Sequence, residues 1–183
     1  MTFIALLKAD AGRHLHFAGR DPGTVSNAGL LGVCLSPRFI PVLLFRLGSW
    51  CASHHLRPIG KCFSLLNFVL FGLEIGLDCR IGPGLYFPHT SGTVLGARSI
   101  GANAVIYHNV TVGAKIPDLK NIGELRPGIG DDVFLGAGAK ILGPITLGDR
   151  IVVGANSVVL SSVPADSLVV GIPGKVVETR DGK

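Results

Sequence analysis

Residues 129–164 read IGDDVF LGAGAK ILGPIT LGDRIV VGANSV VLSSVP and repeat every six positions. The first position of each unit is aliphatic: Ile129, Leu135, Ile141, Leu147, Val153 and Val159. Glycine follows at 130, 136, 148 and 154. Six is three periods of two, so the pattern fits the alternation of a strand and not the 3.6-residue turn of a helix. Small residues after each aliphatic suit corners where the backbone turns tightly and side chains stack. A hexapeptide period of this kind predicts a parallel β-helix, one repeat for each face of a coil. An earlier run, Ile75, Ile81, Phe87 and Thr93, keeps the same phase, slips by one residue, and resumes near Ala104 and Val110. Between the runs, KIPDLKNIGELRPG (115–128) interrupts with charges, prolines and glycines and reads as an excursion loop.

Upstream of residue 74 the pattern changes. Leu43, Leu44, Leu47, Trp50 and Cys51 fall at helical spacing, as do Leu65, Leu66, Val69, Leu70 and Leu73, with Pro58 and Gly60 between the two segments. Residues 1–37 carry glycines and little periodicity, and no element is assigned there. The expected division is a helical extension over 1–73, a β-helix over 74–177 and a tail over 178–183.

The composition, 48% hydrophobic with 26 glycines and 16% charged residues, is that of an ordered chain rich in tight turns rather than a disordered one. The start, MTFIALLKAD, lacks the basic-then-apolar order of a secretory signal, and no apolar run reaches the roughly 18–20 residues that span a bilayer. Cys34, Cys51, Cys62 and Cys79 form no CxxC pair, which points to buried, reduced thiols in a cytoplasmic protein rather than a disulfide framework or zinc site. Residues 1–73 hold seven Lys/Arg against two Asp, a net of +5, whereas 74–183 hold ten of each sign. The basic excess, with Arg38, Arg46, Arg57 and Lys61 beside apolar helices, makes peripheral contact with an acidic membrane face an expectation to test, against packing of those helices on the coil or a neighbouring subunit. Scattered basic residues with 7% aromatics give no nucleic-acid signature.

The segments LEIGLDCRIGPGLYFPHTSG, NVTVGA, IGDDVFLGAGAKILG, GANSVV and VVGIPGKVV together resemble the serine acetyltransferase branch of the hexapeptide-repeat acyltransferases, as does FRLGSW in the helix over 39–52. The resemblance implies a left-handed parallel β-helix, a homotrimer that can pair into a dimer of trimers, and acetyl-CoA as acyl donor between subunits, with no metal. It implies that His89 is the general base, since an imidazole near its reference pKa of roughly 6.5 is largely unprotonated at neutral pH. Glu74, fifteen residues earlier, stands where the family has an orienting aspartate. A backbone N–H of Gly113 or Ala114 would serve the oxyanion. Gly136, Ala137, Gly154 and Ala155 match positions lining the pantetheine groove, and Lys175 matches a basic position near the nucleotide end of CoA.

Two departures concern the acceptor. Pro88 replaces the family's aspartate before the histidine, and Arg126 replaces a histidine in the excursion. A guanidinium suits an acidic sugar or a phosphate, and His108 is placed to contact acceptor or CoA. The leading expectation is therefore O-acetylation of a polysaccharide or its lipid-linked precursor by a cytoplasmic enzyme, with the inner face of the membrane as a further location to test. Serine O-acetyltransfer in cysteine biosynthesis and a non-catalytic β-helix scaffold are the alternatives.

Overall fold

The computed structural model describes residues 1–21, 23, 25–116 and 122–179. Four helices precede the strands: α1 (Phe3–Phe17), α2 (Asn27–Cys34), α3 (Ile40–Ser53) and α4 (Arg57–Phe71). Thr2 caps α1 through its hydroxyl, which accepts from the Ala5 N–H, and Ser26 caps α2 in the same way. Residues 1–37 thus hold two helices where the pattern assigned none. Pro58 does not separate helices; it occupies the first turn of α4, where its missing N–H costs nothing, and Gly60 lies one turn inside. Gly60 is required there, because a Cβ would stand 2.8 Å from the Gly48 carbonyl of α3. Leu73 belongs to the first strand, not to α4.

The strands fall into three sheets visited in turn. The first holds β1 (Leu73–Ile75), β3 (Thr93–Leu95), β6 (Thr111–Gly113), β9 (Lys140–Leu142) and β12 (Val158–Val159). The second holds β2 (Arg80–Ile81), β4 (Ser99–Ile100), β7 (Gly128–Ile129) and β10 (Thr146–Leu147). The third holds β5 (Val105–Ile106), β8 (Phe134–Leu135), β11 (Val152–Val153), β13 (Ser167–Val170) and β14 (Lys175–Thr179). All pairings are parallel except β13 with β14. In the regular part each residue pairs with the one 18 further on, as Phe134 with Val152 and Lys140 with Val158, so three hexads make one circuit. The phase slip is the 17-residue step from Val94 to Thr111, and the excursion accounts for the 29-residue step from Ser99 to Gly128. Gly128 already lies in β7; residues 122–127 contain a 3₁₀ turn (Gly123–Leu125), and 117–121 lie outside the described residues.

The aliphatic first positions of the hexads, with Ala139, Ile151 and other fifth positions, point inward and are buried. Among the four free cysteines, Cys51 and Cys79 are buried, Cys34 is half-buried and Cys62 is exposed, which corrects the expectation of four buried thiols. Cys62 lies on the outer side of α4, where little packs over it. Burial pushes the Cys79 thiol up to about 11, so it stays protonated and unreactive. No described helix is long and apolar enough to cross a membrane.

The helices are fastened to the coil by one buried ion pair. Arg46 of α3 donates to the Asp10 carboxylate of α1 at 2.8 and 3.1 Å and to the carbonyls of Ile81 and Gly82, both at 2.6 Å. Asp10 Oδ1 also accepts from the Gly84 and Leu85 amides at 2.8 and 2.9 Å. Removing one partner strands a buried charge, so Arg46→Ala should cost about 3–5 kcal/mol in urea unfolding, and a paired replacement of Asp10 and Arg46 by apolar residues should cost less than the single change.

Candidate active site

The coil has three corners, and the one between the third and first sheets gathers most of the residues singled out above. Tyr86, Val105, Phe134 and Val152 are aligned across the third sheet. Three residues beyond each stand His89, His108, Ala137 and Ala155, one above another on successive turns. Leu168 continues the alignment, its equivalent position is Gly171, and Lys175 pairs with the adjacent Val170. From His89 to Gly171 is four strand spacings of about 4.8 Å, roughly 19 Å along the corner.

His89 is exposed, and its segment is held from behind. Thr90 donates its hydroxyl to the Phe71 carbonyl at 2.9 Å, and the Gly92 N–H bonds the Gly72 carbonyl at 2.9 Å. Gly72 ends α4 in the left-handed conformation, φ 60°, so the helix stop also fixes the corner. The His89 and His108 rings meet edge-on, centroids 5.7 Å apart. His108 is half-buried, and its Nδ1 is sealed from solvent with no hydrogen-bond partner. An unpaired buried ring nitrogen is costly, which makes His108 a polar group held ready for a further contact.

The small residues divide into two kinds. Gly136 is buried and architectural: a Cβ there would lie 2.7 Å from the Ala155 nitrogen and 2.8 Å from the Val153 carbonyl. Gly154 is half-buried, and a Cβ would meet the Val170 side chain at 2.8 Å. Ala137 is half-buried and Ala155 exposed, so these two, rather than the glycines, form the accessible floor of the corner. Lys175 is exposed at its far end.

Glu74, Gly113, Ala114 and Arg126 lie elsewhere. Glu74 is exposed on β1 and makes no hydrogen bond with His89; the two line different recesses. The recess beside His89 includes Arg38, Phe71 and Pro88. Glu74 faces a cleft of about 650 Å³ between α4 and the first coil turns, which it shares with Arg57, Lys61, Arg80, Arg98 and Arg126. Arg126 donates to the Gly96 carbonyl at 3.1 Å, and its guanidinium occupies the space a Gly96 side chain would need. Arg98 lies likewise over Gly128. Sequence reasoning named Arg57, Lys61 and Arg126 of these cations; Arg80 and Arg98 join them because Arg80 and Ser99 are register partners on neighbouring turns. Arg57 is tied to Asp78 at 2.9 and 3.0 Å, an exposed pair that lowers the Asp78 pKa. Gly113 ends β6 with open space outside it, five residues past His108 and beyond the turn at Asn109. Within one chain His89 and Gly113 therefore stand at opposite ends of the first sheet's strands, His89 before β3 and Gly113 at the end of the neighbouring β6. Among the described residues no group of three His, Cys, Asp or Glu side chains could hold a metal ion.

A six-residue repeat wound through three parallel sheets defines a hexapeptide-repeat chain, and residues 128–161 match the family described as the hexapeptide repeat of succinyl-transferase. The branch is narrower. The chain is 38% identical over 159 residues to a serine acetyltransferase of Synechococcus elongatus, covering 86% of this chain and 63% of that one. It is 47% identical over 126 residues to a serine acetyltransferase of Staphylococcus xylosus, covering 68% of this chain and 56% of the relative. The structure of Neisseria gonorrhoeae serine acetyltransferase superposes with a TM-score of 0.82 at 29% identity, covering 99% of this chain and 68% of that one. A serine acetyltransferase in complex with CoA superposes with a TM-score of 0.79 at 26% identity, covering 96% and 69%. The chain is a hexapeptide-repeat protein related to the serine acetyltransferases, and it spans about three fifths of the length of the relatives matched in sequence.

The two kinds of small residue are separable by melting. Gly136→Ala should lower the midpoint through overpacking worth about 1–3 kcal/mol, whereas Gly113→Ala, which meets open space, should leave it nearly unchanged.

Proposed function

We propose that this chain is an acetyl-CoA-dependent O-acetyltransferase whose general base is His89. The carrying observation is the corner that stacks His89, His108, Ala137 and Ala155 in one line ending beside Lys175. A line of roughly 19 Å, polar at one end, small-walled along its length and basic at the other, suits an extended thioester arm with an anionic tail. In the reaction, neutral His89 takes the proton of an acceptor hydroxyl as that oxygen attacks the acetyl carbonyl. The oxyanion forms against the Gly113 or Ala114 N–H, and its collapse expels the CoA thiolate, which recovers the proton from His89.

The separation of His89 from Gly113 supports assembly. Gly113 lies at the far end of the first sheet's strands from the His89 corner, an arrangement that a neighbouring copy bringing its own strand ends to the corner would complete. A homotrimer of left-handed coils supplies that arrangement. Glu74 holds the position of the family's orienting aspartate, but within the chain it faces a different recess from His89, so the reading rests on His89.

The relatives' names support L-serine as acceptor better than a sugar, and serine O-acetyltransfer is the reading we adopt. The polysaccharide reading keeps two specific observations: Pro88 offers no charge to an amino group, and Arg126 stands in a strongly cationic cleft. Release of CoA thiol from acetyl-CoA with L-serine as the sole acceptor decides between them. Turnover on serine supports the adopted reading; silence with serine and turnover on acidic or phosphate-linked sugars replaces it; silence with every hydroxyl leaves the scaffold. In the active assay His89→Ala should reduce turnover by roughly 10²–10⁴-fold without changing the melt. Ala155→Trp should raise the KM for acetyl-CoA while the fold holds. Activity of His89→Ala within a few-fold of the parent would remove the base from the mechanism.

A further inference from the structure

α4 leaves much of its apolar surface exposed. Of its fifteen residues, Gly60 and Asn67 alone are buried. Leu65, Leu66, Phe68, Val69 and Leu70 are between 45% and 68% exposed, and Ile59 is 48% exposed. At 100° per residue these side chains sweep more than half the helix circumference, far wider than the stripe a helix needs to pack on its own domain. A contiguous apolar face left in water marks a contact surface.

The surroundings of the face select its occupant. Arg57 and Lys61 sit at one flank of α4, and the cleft beneath that flank adds Arg80, Arg98 and Arg126 against Asp78 and Glu74. The cleft is walled by Leu65 and Phe68, so apolar face and cationic floor are continuous. The overall basic excess of the chain also falls in residues 1–73. Arg46, named with this group on sequence grounds, takes no part because it is buried against Asp10. A helix of fifteen residues, apolar over one arc and cationic along its edge, has the composition of an interfacial helix lying in the plane of an anionic bilayer.

We infer that α4 docks this protein on an anionic lipid surface, its apolar face among the acyl chains and the Arg57, Lys61, Arg80 and Arg98 edge against the headgroups. The docking would place the Glu74 cleft at the membrane plane. It is independent of the acceptor's identity.

The test is flotation of the full chain with vesicles of phosphatidylcholine and phosphatidylglycerol, and with phosphatidylcholine alone, at low and at physiological salt. The parent should float with the anionic vesicles and less so as salt rises. The double change Leu66→Glu with Val69→Glu should abolish flotation while leaving the melt, the solution mass and acetyl transfer to a soluble acceptor unchanged, and Lys61→Glu should weaken flotation on anionic vesicles. No flotation of the parent at low salt overturns the inference, as does undiminished flotation of the double variant. A change in solution mass of the double variant overturns it too, because the face would then be a contact between copies.

Discussion

The first turn of a parallel coil lacks a turn beneath it, and the Asp10–Arg46 pair stands in for the missing one. Carbonyls of Ile81 and Gly82 that would bond a preceding strand bond the guanidinium instead, and the Gly84 and Leu85 amides bond the carboxylate. Burial pushes the Asp10 carboxyl up from its usual range, while Arg46 and the two amides pull it back. A buried charge pair is seldom a net gain in stability, but here each arm satisfies backbone groups that no other element reaches. The pair also fixes geometry: α1 and α3 cannot slide along the coil end without unpairing a buried charge.

That constraint reaches the site through α4. α3 and α4 pack at Gly48 and Gly60, close enough that neither glycine admits a side chain without a shift. α4 then passes through Gly72 into β1, and its end holds Thr90 and Gly92. The corner carrying His89 is therefore located by the coil on one side and by the helical layer on the other. His89 lies on the lowest turn, where the repeat alone would leave its segment as a free edge.

The coil was legible because its period is written in side chains that must all point inward. Ile129, Leu135, Ile141 and their successors are interchangeable aliphatics, so spacing alone identified them. His89, Ala137 and Ala155 came instead from the family resemblance, and only the structure shows that they and His108 hold one offset from the aligned strand residues. The helices before residue 38 were illegible for the opposite reason. α1 buries Asp10 as well as Leu7 and Ala11, so its packed face is partly polar and gives no clean apolar stripe. Pro58 misled because a proline at a helix start and one between helices look alike without the cap. Glu74 and His89 keep the family's fifteen-residue step, yet the first turns are 19 and 20 residues long and the two residues line different recesses.

A rigid coil limits where specificity can be written. Its inward positions are fixed by packing and its corners by backbone approach, so neither can change without breaking the stack. What remains variable is the material that interrupts or flanks the repeat: the lengthened corner around His89, the excursion before β7, and α4. These three segments carry Pro88, Arg126 and the exposed apolar face of α4. On the proposed reading the donor line follows the corner column, while Pro88, Arg126 and α4 lie in the segments that flank it. A change of acceptor on this scaffold therefore requires no change in the coil, which is why a strong likeness in the repeat says more about the acyl donor than about the hydroxyl that receives it.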